Sequence, residues 1–326
     1  MDKVFIIQPD NNKGKYITKG YASAFADFNY FVIEKKIFDL NIEQVLKIKP
    51  HIVFCFWSDI VQNETLINFF EQLSCENIDF IHVAEVLKDI PVQFRKKSNH
   101  YCFASDNKDK KYLIKMAINA KDYKVKFNGY KYTITFAGNP ASQQREELLA
   151  ALIYNFGPIN IFCRSFDFYQ SLDDMYKNKL LNDNYIELYR ASYQGYVENQ
   201  KELANIYCSS KINIDMQNPD GKNLNYRTLE VLASNGFLLT PYNDFVVKQF
   251  DDGKDLETYK NAEQLIDKIN FYLKNLNLSQ SIAYNGKKNA ISNHSFCDRL
   301  KSILKVIYGE DFSNWWWYSN KWVDKS

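Results

Sequence analysis

The sequence predicts an α/β protein made of two doubly wound domains in series. Short apolar runs rich in Val, Ile and Phe alternate with segments in which apolar residues recur at helical spacing. This alternation is typical of parallel sheets covered by helices. A lysine-rich stretch at residues 106–131 interrupts the alternation, which then begins again. At 326 residues the chain also exceeds the usual size of a single hydrophobic core.

The first domain is predicted at residues 1–130. Its apolar runs are bounded by turn-forming residues, which favours strands at "KVFIIQ", "HIVFCFW" and "IDFIHVAEV". Helical spacing predicts helices at "IEQVLKIKP" and "NETLINFFEQLSCEN". A further segment, "GYASAFADFNYFVIEKK", begins as a helix and becomes strand-like from Tyr30.

The second domain is predicted at residues 131–305. It opens with strand, helix and strand at "YTITFAG", "SQQREELLAALIYNFG" and "INIFCRSF". Later, "GYVENQKELANIYCSSKINIDM" predicts a turn, a helix and a strand. The stretch "NLNYRTLEVLASNGFLLT" predicts a helix that Gly236 ends and a buried strand after it. Two helical segments follow, and residues 306–326 form an aromatic tail.

Composition excludes several function classes. A formal net charge of +2 is too small for the concentrated basic surface that nucleic-acid binding requires. The six cysteines are scattered without a CxxC pair, which favours reduced thiols in a cytoplasmic protein. The four histidines have no metal-ligand spacing, so neither a metal site nor a cofactor is expected. We expect no signal peptide and no membrane span, because every apolar stretch is too short.

Arg227 and Glu230 are the most informative charged pair in the sequence. They lie three positions apart at the start of an apolar helix, so both project from one face. In doubly wound sheets, ligands bind where strand ends and helix N-termini converge. A guanidinium there can clamp a diphosphate, and a carboxylate can accept both hydroxyls of a ribose. The alternative is an exposed ion pair between neighbouring helical turns without functional meaning.

Two glycine-containing turns offer weaker signals. Gly138 follows a predicted strand and precedes a helix, so its backbone could approach a ligand closely at a helix N-terminus. An ordinary tight turn explains the same residues. The turn before "YVENQKEL" could place the backbone of Tyr196 and Val197 beside a nucleobase, or it could be a turn and nothing more.

Five blocks in the second half resemble the C-terminal domain of two-domain (GT-B) glycosyltransferases. They occur in the family's order, over roughly residues 132–305: "ITFAGNPASQQREELLAAL", "GYVENQKELANIYCSSKINIDM", "YRTLEVLASNGFLLT", "FDDGKDLETYKNAEQLIDKINFYL" and "RLKSIL". The likeness is strongest to the group 1 and spore-maturation-type glycosyltransferases. It implies two Rossmann-like domains facing a cleft, with a nucleotide sugar held by the second domain.

The resemblance assigns roles to individual residues. It implies that Glu230 holds the donor ribose and Arg227 the diphosphate, that Gly138 and Asn139 line the donor pocket, and that Tyr196 and Val197 flank the base. Many related retaining enzymes carry a glutamate eight positions before the ribose glutamate, where this chain has Lys222. Lys222 could contact phosphate but cannot replace a carboxylate. Retaining stereochemistry therefore does not carry over, and no catalytic group is identified.

A catalytic base, if the reaction inverts, is expected in the first domain beside the acceptor. Asp10 follows the first strand, and His82 lies on or just after the strand "IDFIH". Their alternatives are a turn aspartate and a core histidine. No Asp-x-Asp triplet is present. This absence favours the metal-independent two-domain type, in which Arg227, Lys222 and helix N-termini neutralise the leaving diphosphate.

The tail "NWWWYSNKW" has two interpretations. It packs against the first domain, or it contacts a membrane surface or lipid-linked acceptor, since Trp, Tyr and Lys favour that boundary. The leading functional hypothesis is a cytoplasmic glycosyltransferase of polysaccharide biosynthesis, peripheral to the inner face of the membrane under the second interpretation. It would move a sugar from a nucleotide-sugar donor to a glycan or lipid-linked glycan. The alternatives are a nucleotide-sugar epimerase or hydrolase, and a non-catalytic nucleotide-sugar-binding assembly protein.

Overall fold

The computed structural model describes residues 1–57, 64–74, 76–216 and 224–309. The chain divides into two compact units. The first comprises residues 1–119 and the described chain from His294 onwards, and the second comprises residues 120–293. The α/β class and the pair of doubly wound sheets are confirmed, although these bounds differ from the predicted 1–130 and 131–305.

The first unit is built on a five-stranded parallel sheet with the strand order β2-β1-β3-β4-β5. Its strands are β1 (Lys3–Gln8), β2 (Phe31–Lys36), β3 (Ile52–Trp57), β4 (Asp79–Ala84) and β5 (His100–Ala104). Its helices are α1 (Asn12–Asp27), α2 (Ile42–Ile48), α3 (Glu64–Leu73) and, from the end of the chain, α12 (Phe296–Tyr308).

Local sequence explains most of these elements. All six residues of β3 are buried, as its continuous apolar run predicts for a central strand. The first helix begins at Asn12 rather than near residue 20, because Asn11 caps it by accepting a hydrogen bond from the Gly14 backbone N–H at 2.7 Å. Strand β5 was not predicted, since its sequence "HYCFA" is short and mixed.

The last helix belongs to the first unit because a buried arginine ties it there. Arg299 donates from Nε to the carbonyl oxygen of Lys115 at 3.0 Å and from Nη2 to that of Met116 at 3.2 Å. The ring of Phe296 also lies where a Cβ on Gly20 of α1 would be, 2.1 Å away. The predicted tail begins at Val306, and Tyr308 donates to Asp79 of β4 at 2.8 Å. The rest of the tail, residues 310–326, lies outside the described residues.

The second unit repeats this topology without repeating the sequence. Its strand order, β10-β9-β8-β6-β7, is the same arrangement when its strands are counted from β6. The strands are β6 (Tyr132–Ala137), β7 (Asn160–Phe162), β8 (Ser210–Ile214), β9 (Leu238–Pro241) and β10 (Glu257–Tyr259). The helices are α4 (Gln143–Phe156), α5 (Ser165–Lys177), α6 (Asp183–Ala191), α7 (Gln200–Cys208), α8 (Tyr226–Ala233), α9 (Asp244–Val247), α10 (Ala262–Lys274) and α11 (Leu276–Asn293).

Several elements of the second unit escaped prediction from sequence. Helices α5 and α6 fall in a segment whose polar composition hides the buried face formed by Phe168, Leu172 and Met175. The short edge strand β10 has only three residues. Among the described residues, no helix is both long enough and apolar enough to cross a membrane.

The core of the first unit contains a chain of hydrogen-bonded aromatic rings. Trp57 Nε1–H donates to His82 Nδ1 at 3.0 Å, and His82 Nε2 lies 2.9 Å from His100 Nδ1. His100 Nε2 lies 3.1 Å from the Ser74 hydroxyl. Because indole nitrogen can only donate, this order assigns the Nε2–H tautomer to both histidines and leaves them neutral.

His82 is therefore a structural residue, and its prediction as a catalytic base is wrong. The side chain is fully buried, and its ring stacks on Phe94. Burial and the neighbouring His100 hold the pKa of His82 well below its ordinary value. A base needs access to its substrate, which this ring lacks.

The first unit is expected to lose stability as pH falls below about 6.5, the unfolded pKa of histidine. Burial lowers the pKa of His100 to about 4 and that of His294 to about 3, and the pKa of His82 is also low. Unfolded chains therefore bind these protons first, so the stabilisation is complete above pH 6.5 and declines as pH falls towards the folded pKa values. Each histidine adds a slope of about 1.4 kcal/mol per pH unit.

Urea denaturation between pH 7.5 and 5, with hydrogen exchange of first-unit amides, measures this slope. The variant His100→Gln should reduce the slope by the contribution of one histidine, about 1.4 kcal/mol per pH unit. The comparison variant His51→Gln removes an exposed imidazole instead of a buried one, and His100→Gln should reduce the slope by more than it does. Equal slopes in the parent and His100→Gln would contradict the assignment.

Candidate functional site

A cavity of about 410 Å³ lies within the second unit, where the carboxyl ends of β6 and β8 meet. Strand β7 extends the sheet on one side of this point and β9 on the other. Such a reversal of strand order is where doubly wound sheets bind ligands. The predicted residues that line the cavity are Gly138, Asn139, Tyr196, Val197, Arg227 and Glu230. Lys222 lies outside the described residues.

Arg227 is held by a buried carboxylate that the sequence analysis missed. Asp215 follows β8 directly, and its side chain is fully buried. Its oxygens accept hydrogen bonds from Arg227 Nη1 at 2.8 Å, from Asn225 Nδ2 at 3.3 Å and from Thr228 Oγ1 at 3.3 Å. These three donors compensate the cost of burying the charge. A lone aspartate at the end of the strand "KINID" was the available signal.

The alternative of an exposed ion pair between Arg227 and Glu230 is wrong. Arg227 pairs with Asp215 instead, and its side chain is only 15% exposed. Burial would lower the pKa of Arg227, but Asp215 and, to a lesser extent, Tyr207 and Glu230 raise it above its ordinary value. The guanidinium, which also lies 5.1 Å from the ring centre of Phe136, is thus a fixed cation at the strand ends.

Gly138 is required by the position of this guanidinium. Its φ of +151° is one that residues with a side chain rarely adopt, and a Cβ there would lie 1.9 Å from Arg227 Nη2. The Gly138 backbone N–H also donates to the carbonyl oxygen of Phe162 at 2.9 Å. The alternative of an ordinary tight turn does not account for this close approach.

One carboxylate oxygen of Glu230 accepts two hydrogen bonds from neighbouring side chains. Tyr123 Oη donates to Glu230 Oε1 at 3.4 Å, and Gln200 Nε2 donates to the same oxygen at 3.3 Å. Burial raises the pKa of Glu230, an effect that the charge of Arg227 partly offsets. Gln200 Oε1 is buried and has no hydrogen-bond partner among the described residues. Glu230 Oε2 and the Gln200 amide therefore retain capacity for a ligand.

Arg145 is a second cation beside Arg227 that sequence reasoning missed. Its Nη1 donates to the carbonyl oxygen of Asn139 at 2.7 Å, and its Nε donates to that of Met216 at 3.1 Å. Burial and the charge of Arg227 lower the pKa of Arg145, while Asp215 raises it. Two guanidinium groups thus lie near the ends of β6 and β8, in the first turn of α4 and of α8.

The other end of the cavity is formed by the loop before α7. Tyr196 is half-exposed, and the guanidinium of Arg164 lies 5.4 Å from the centre of its ring. Val197 and Glu198 follow it and also line the cavity. This loop leads directly to Gln200, which donates to Glu230. The cavity therefore runs from Arg227, past the carboxylate of Glu230, to an aromatic end at Tyr196.

Asp10 lies in the first unit at the corresponding reversal of strand order, after β1. Its side chain is 68% exposed and pairs with Lys15 at 3.2 Å. The carboxylate is accessible, unlike the ring of His82, so its role as a base stays a prediction. Within the described chain, Lys15 is the only side chain that pairs with Asp10.

Comparison with known proteins finds a family match in the second half of the chain. Residues 144–305 match the model of a family described as glycosyl transferase-like. The comparison with curated protein sequences found no match.

Solved structures with the same fold cover nearly the whole chain. A glycosyltransferase from Rickettsia africae is 14% identical, with a TM-score of 0.63 over 96% of this chain and 99% of that one. Sucrose-phosphate synthase from Thermosynechococcus elongatus is 10% identical, with a TM-score of 0.58 over 94% and 99%. Anabaena HepE, solved in complex with UDP and glucose, is 9% identical, with a TM-score of 0.57 over 94% and 99%.

These similarities agree with the cavity geometry and with the order of the sequence blocks. The chain therefore has the GT-B fold, and the match of its residues 144–305 to the glycosyl transferase-like family supports a glycosyltransferase.

Proposed function

We propose that this enzyme moves a sugar from a nucleoside-diphosphate sugar to a glycan, lipid-linked glycan or other surface-polymer acceptor, without a divalent metal. The observation that carries the proposal is the cavity of the second unit, where Arg227 is pinned over Gly138 beside the available carboxylate oxygen of Glu230. The solved complex of HepE with UDP and glucose, on the same fold, supports a nucleotide-sugar donor.

Each part of the cavity suits one part of such a donor. The fixed cations Arg227 and Arg145 suit the diphosphate, because guanidinium donors match phosphate oxygens in geometry and charge. The free oxygen of Glu230 can accept both ribose hydroxyls, and the unpartnered Gln200 oxygen can accept a further one. Tyr196 and Val197 then border the base, and Gly138 and Asn139 border the sugar-bearing phosphate.

The same cations would assist the departure of the nucleoside diphosphate. Negative charge develops on the bridging oxygen as the glycosidic bond to the donor breaks, and preorganised donors stabilise that charge. Asp215 keeps the Arg227 guanidinium in place throughout, so no reorganisation is needed at that moment. The acceptor hydroxyl would lose its proton to Asp10, under the proposal that the reaction inverts.

We place the reaction in the cytoplasm, in polysaccharide biosynthesis. The described cysteines form no disulfide and four of them are buried, which suits a reducing compartment. Release of nucleoside diphosphate with and without acceptor tests the proposal. Acceptor-independent release would indicate a hydrolase, interconversion of the donor an epimerase, and binding without turnover a non-catalytic protein.

Glu230→Ala is expected to weaken binding of the matching nucleoside diphosphate by about 1.5–3 kcal/mol, the usual scale for a hydrogen bond to a charged group. Isothermal titration calorimetry measures the change. The control Glu263→Ala removes an exposed carboxylate from the first turn of α10, away from the cavity, and should bind like the parent. Unchanged affinity in Glu230→Ala would remove Glu230 from the donor site.

Activity is expected to survive EDTA. Arg227 and Arg145 supply the positive charge that a metal would otherwise provide to the diphosphate, so chelation should leave turnover unchanged. The measurement is the initial rate of nucleoside diphosphate release before and after chelation. A rate that collapses and is restored by manganese or magnesium would overturn metal independence.

Asp10→Asn is expected to lower kcat by about 10²–10⁴-fold, the usual contribution of a general base. Donor affinity should not change, because the substitution lies in the first unit. The control Asp106→Asn alters another carboxylate of the first unit, whose Oδ1 accepts from the Leu87 backbone N–H. Full turnover in Asp10→Asn would exclude this residue as the base.

A further inference from the structure

The cavity order fixes where the donor base would lie, provided that the proposed function holds. Arg227 and Gly138 mark the diphosphate end, and Glu230 marks the ribose. Gln200 donates to Glu230 at 3.3 Å, and the loop immediately before it carries Tyr196, Val197 and Glu198. The base, which extends from the ribose away from the phosphates, therefore meets this loop.

Two opposite charges at this end have no polar partner of their own. Within the part of the chain that the structure describes, the side chains of Glu198 and Arg164 make no hydrogen bond and no ion pair. Both line the cavity and are exposed to solvent, and the guanidinium of Arg164 lies 5.4 Å from the centre of the Tyr196 ring. One carboxylate acceptor and one guanidinium donor thus remain available to a base bordered by an aromatic ring.

We propose that Glu198 and Arg164 select guanine, so that the donor is a GDP-sugar. Guanine carries two adjacent donors, N1–H and the N2 amino group, which match the two oxygens of a carboxylate. Its O6 and N7 are adjacent acceptors, and arginine binds this pair with two donors more often than any other base edge. The ring of Tyr196 offers a surface for stacking, which every base tolerates.

The other bases match this pair of charges less well. Uracil has a single N–H flanked by two carbonyl oxygens, so one carboxylate oxygen of Glu198 would face a carbonyl. The amino group of adenine, beside N7, is a donor and would face the donors of Arg164. The N1 atom of adenine is an acceptor and would face the carboxylate of Glu198, which is also an acceptor. Cytosine could satisfy Glu198 through its N4 amino group, but it offers only a single ring to the loop.

Titration of GDP, UDP, ADP and CDP into the intact protein tests the proposal. GDP should bind tighter than each of the others by at least about fivefold, the lower limit for one well-matched pair of hydrogen bonds to a base. The variant Glu198→Gln replaces one acceptor by a donor. This variant should lower the affinity for GDP by about fivefold or more and change the affinity for UDP by less than about twofold.

The matched control is Glu202→Gln, an exposed carboxylate in the first turn of α7 that is not part of the cavity lining. It should retain the parent's preference and melting temperature. UDP, ADP or CDP binding as tightly as GDP, or a preference that survives in Glu198→Gln, would overturn the assignment of guanine. If none of the four nucleotides binds, it is the proposed donor site itself that fails.

Discussion

The buried ion pair between Asp215 and Arg227 is the interaction on which the site depends. Asp215 has no contact with solvent, so its charge must be balanced inside the protein, and Arg227 balances it at 2.8 Å. Replacing such a pair with apolar residues often costs nothing, whereas removing one partner is strongly destabilising. The pair is thus poor evidence for stability, and its structural consequence is a guanidinium fixed at one place.

The consequences of that pair extend to residues far apart in sequence. The guanidinium occupies the space above residue 138, so only glycine fits there, and α8 must begin close to the end of β8. Glu230, one helical turn further on, is brought to the same cavity. Loop, helix and strand end are therefore constrained by a single charge, and a change at any of them would disturb the other two.

Much of the fold could be predicted, because the spacing of apolar residues and the positions of turn-forming residues are local properties of the sequence. Apolar runs in the sequence predict strands such as β3 and β6. The separation of Arg227 and Glu230 by three positions predicts that both project from one face of a helix. What could not be predicted depends on contacts between distant residues. In the sequence, Asp215 resembles any aspartate that follows a strand, because the residues that donate hydrogen bonds to it lie on and before α8. Arg145 likewise has the spacing of a surface residue on an amphipathic helix. His82 was misjudged for the same reason, since its partner His100 lies on another strand.

The chain leaves the first unit after residue 119 and returns to it at His294. At that crossing, the Phe296 backbone N–H donates to the carbonyl oxygen of Ile118, and the Ile118 N–H donates to that of His294, both at 3.0 Å. The second unit is therefore an insertion in the first, and these hydrogen bonds join the chain segment before the insertion to the segment after it. On the ribosome, which makes proteins from the N-terminus, the inserted unit is complete before the last helix of its host exists. The unit that is begun first is thus finished last, because its five strands are made early but its last helix, α12, is made only after the whole second unit.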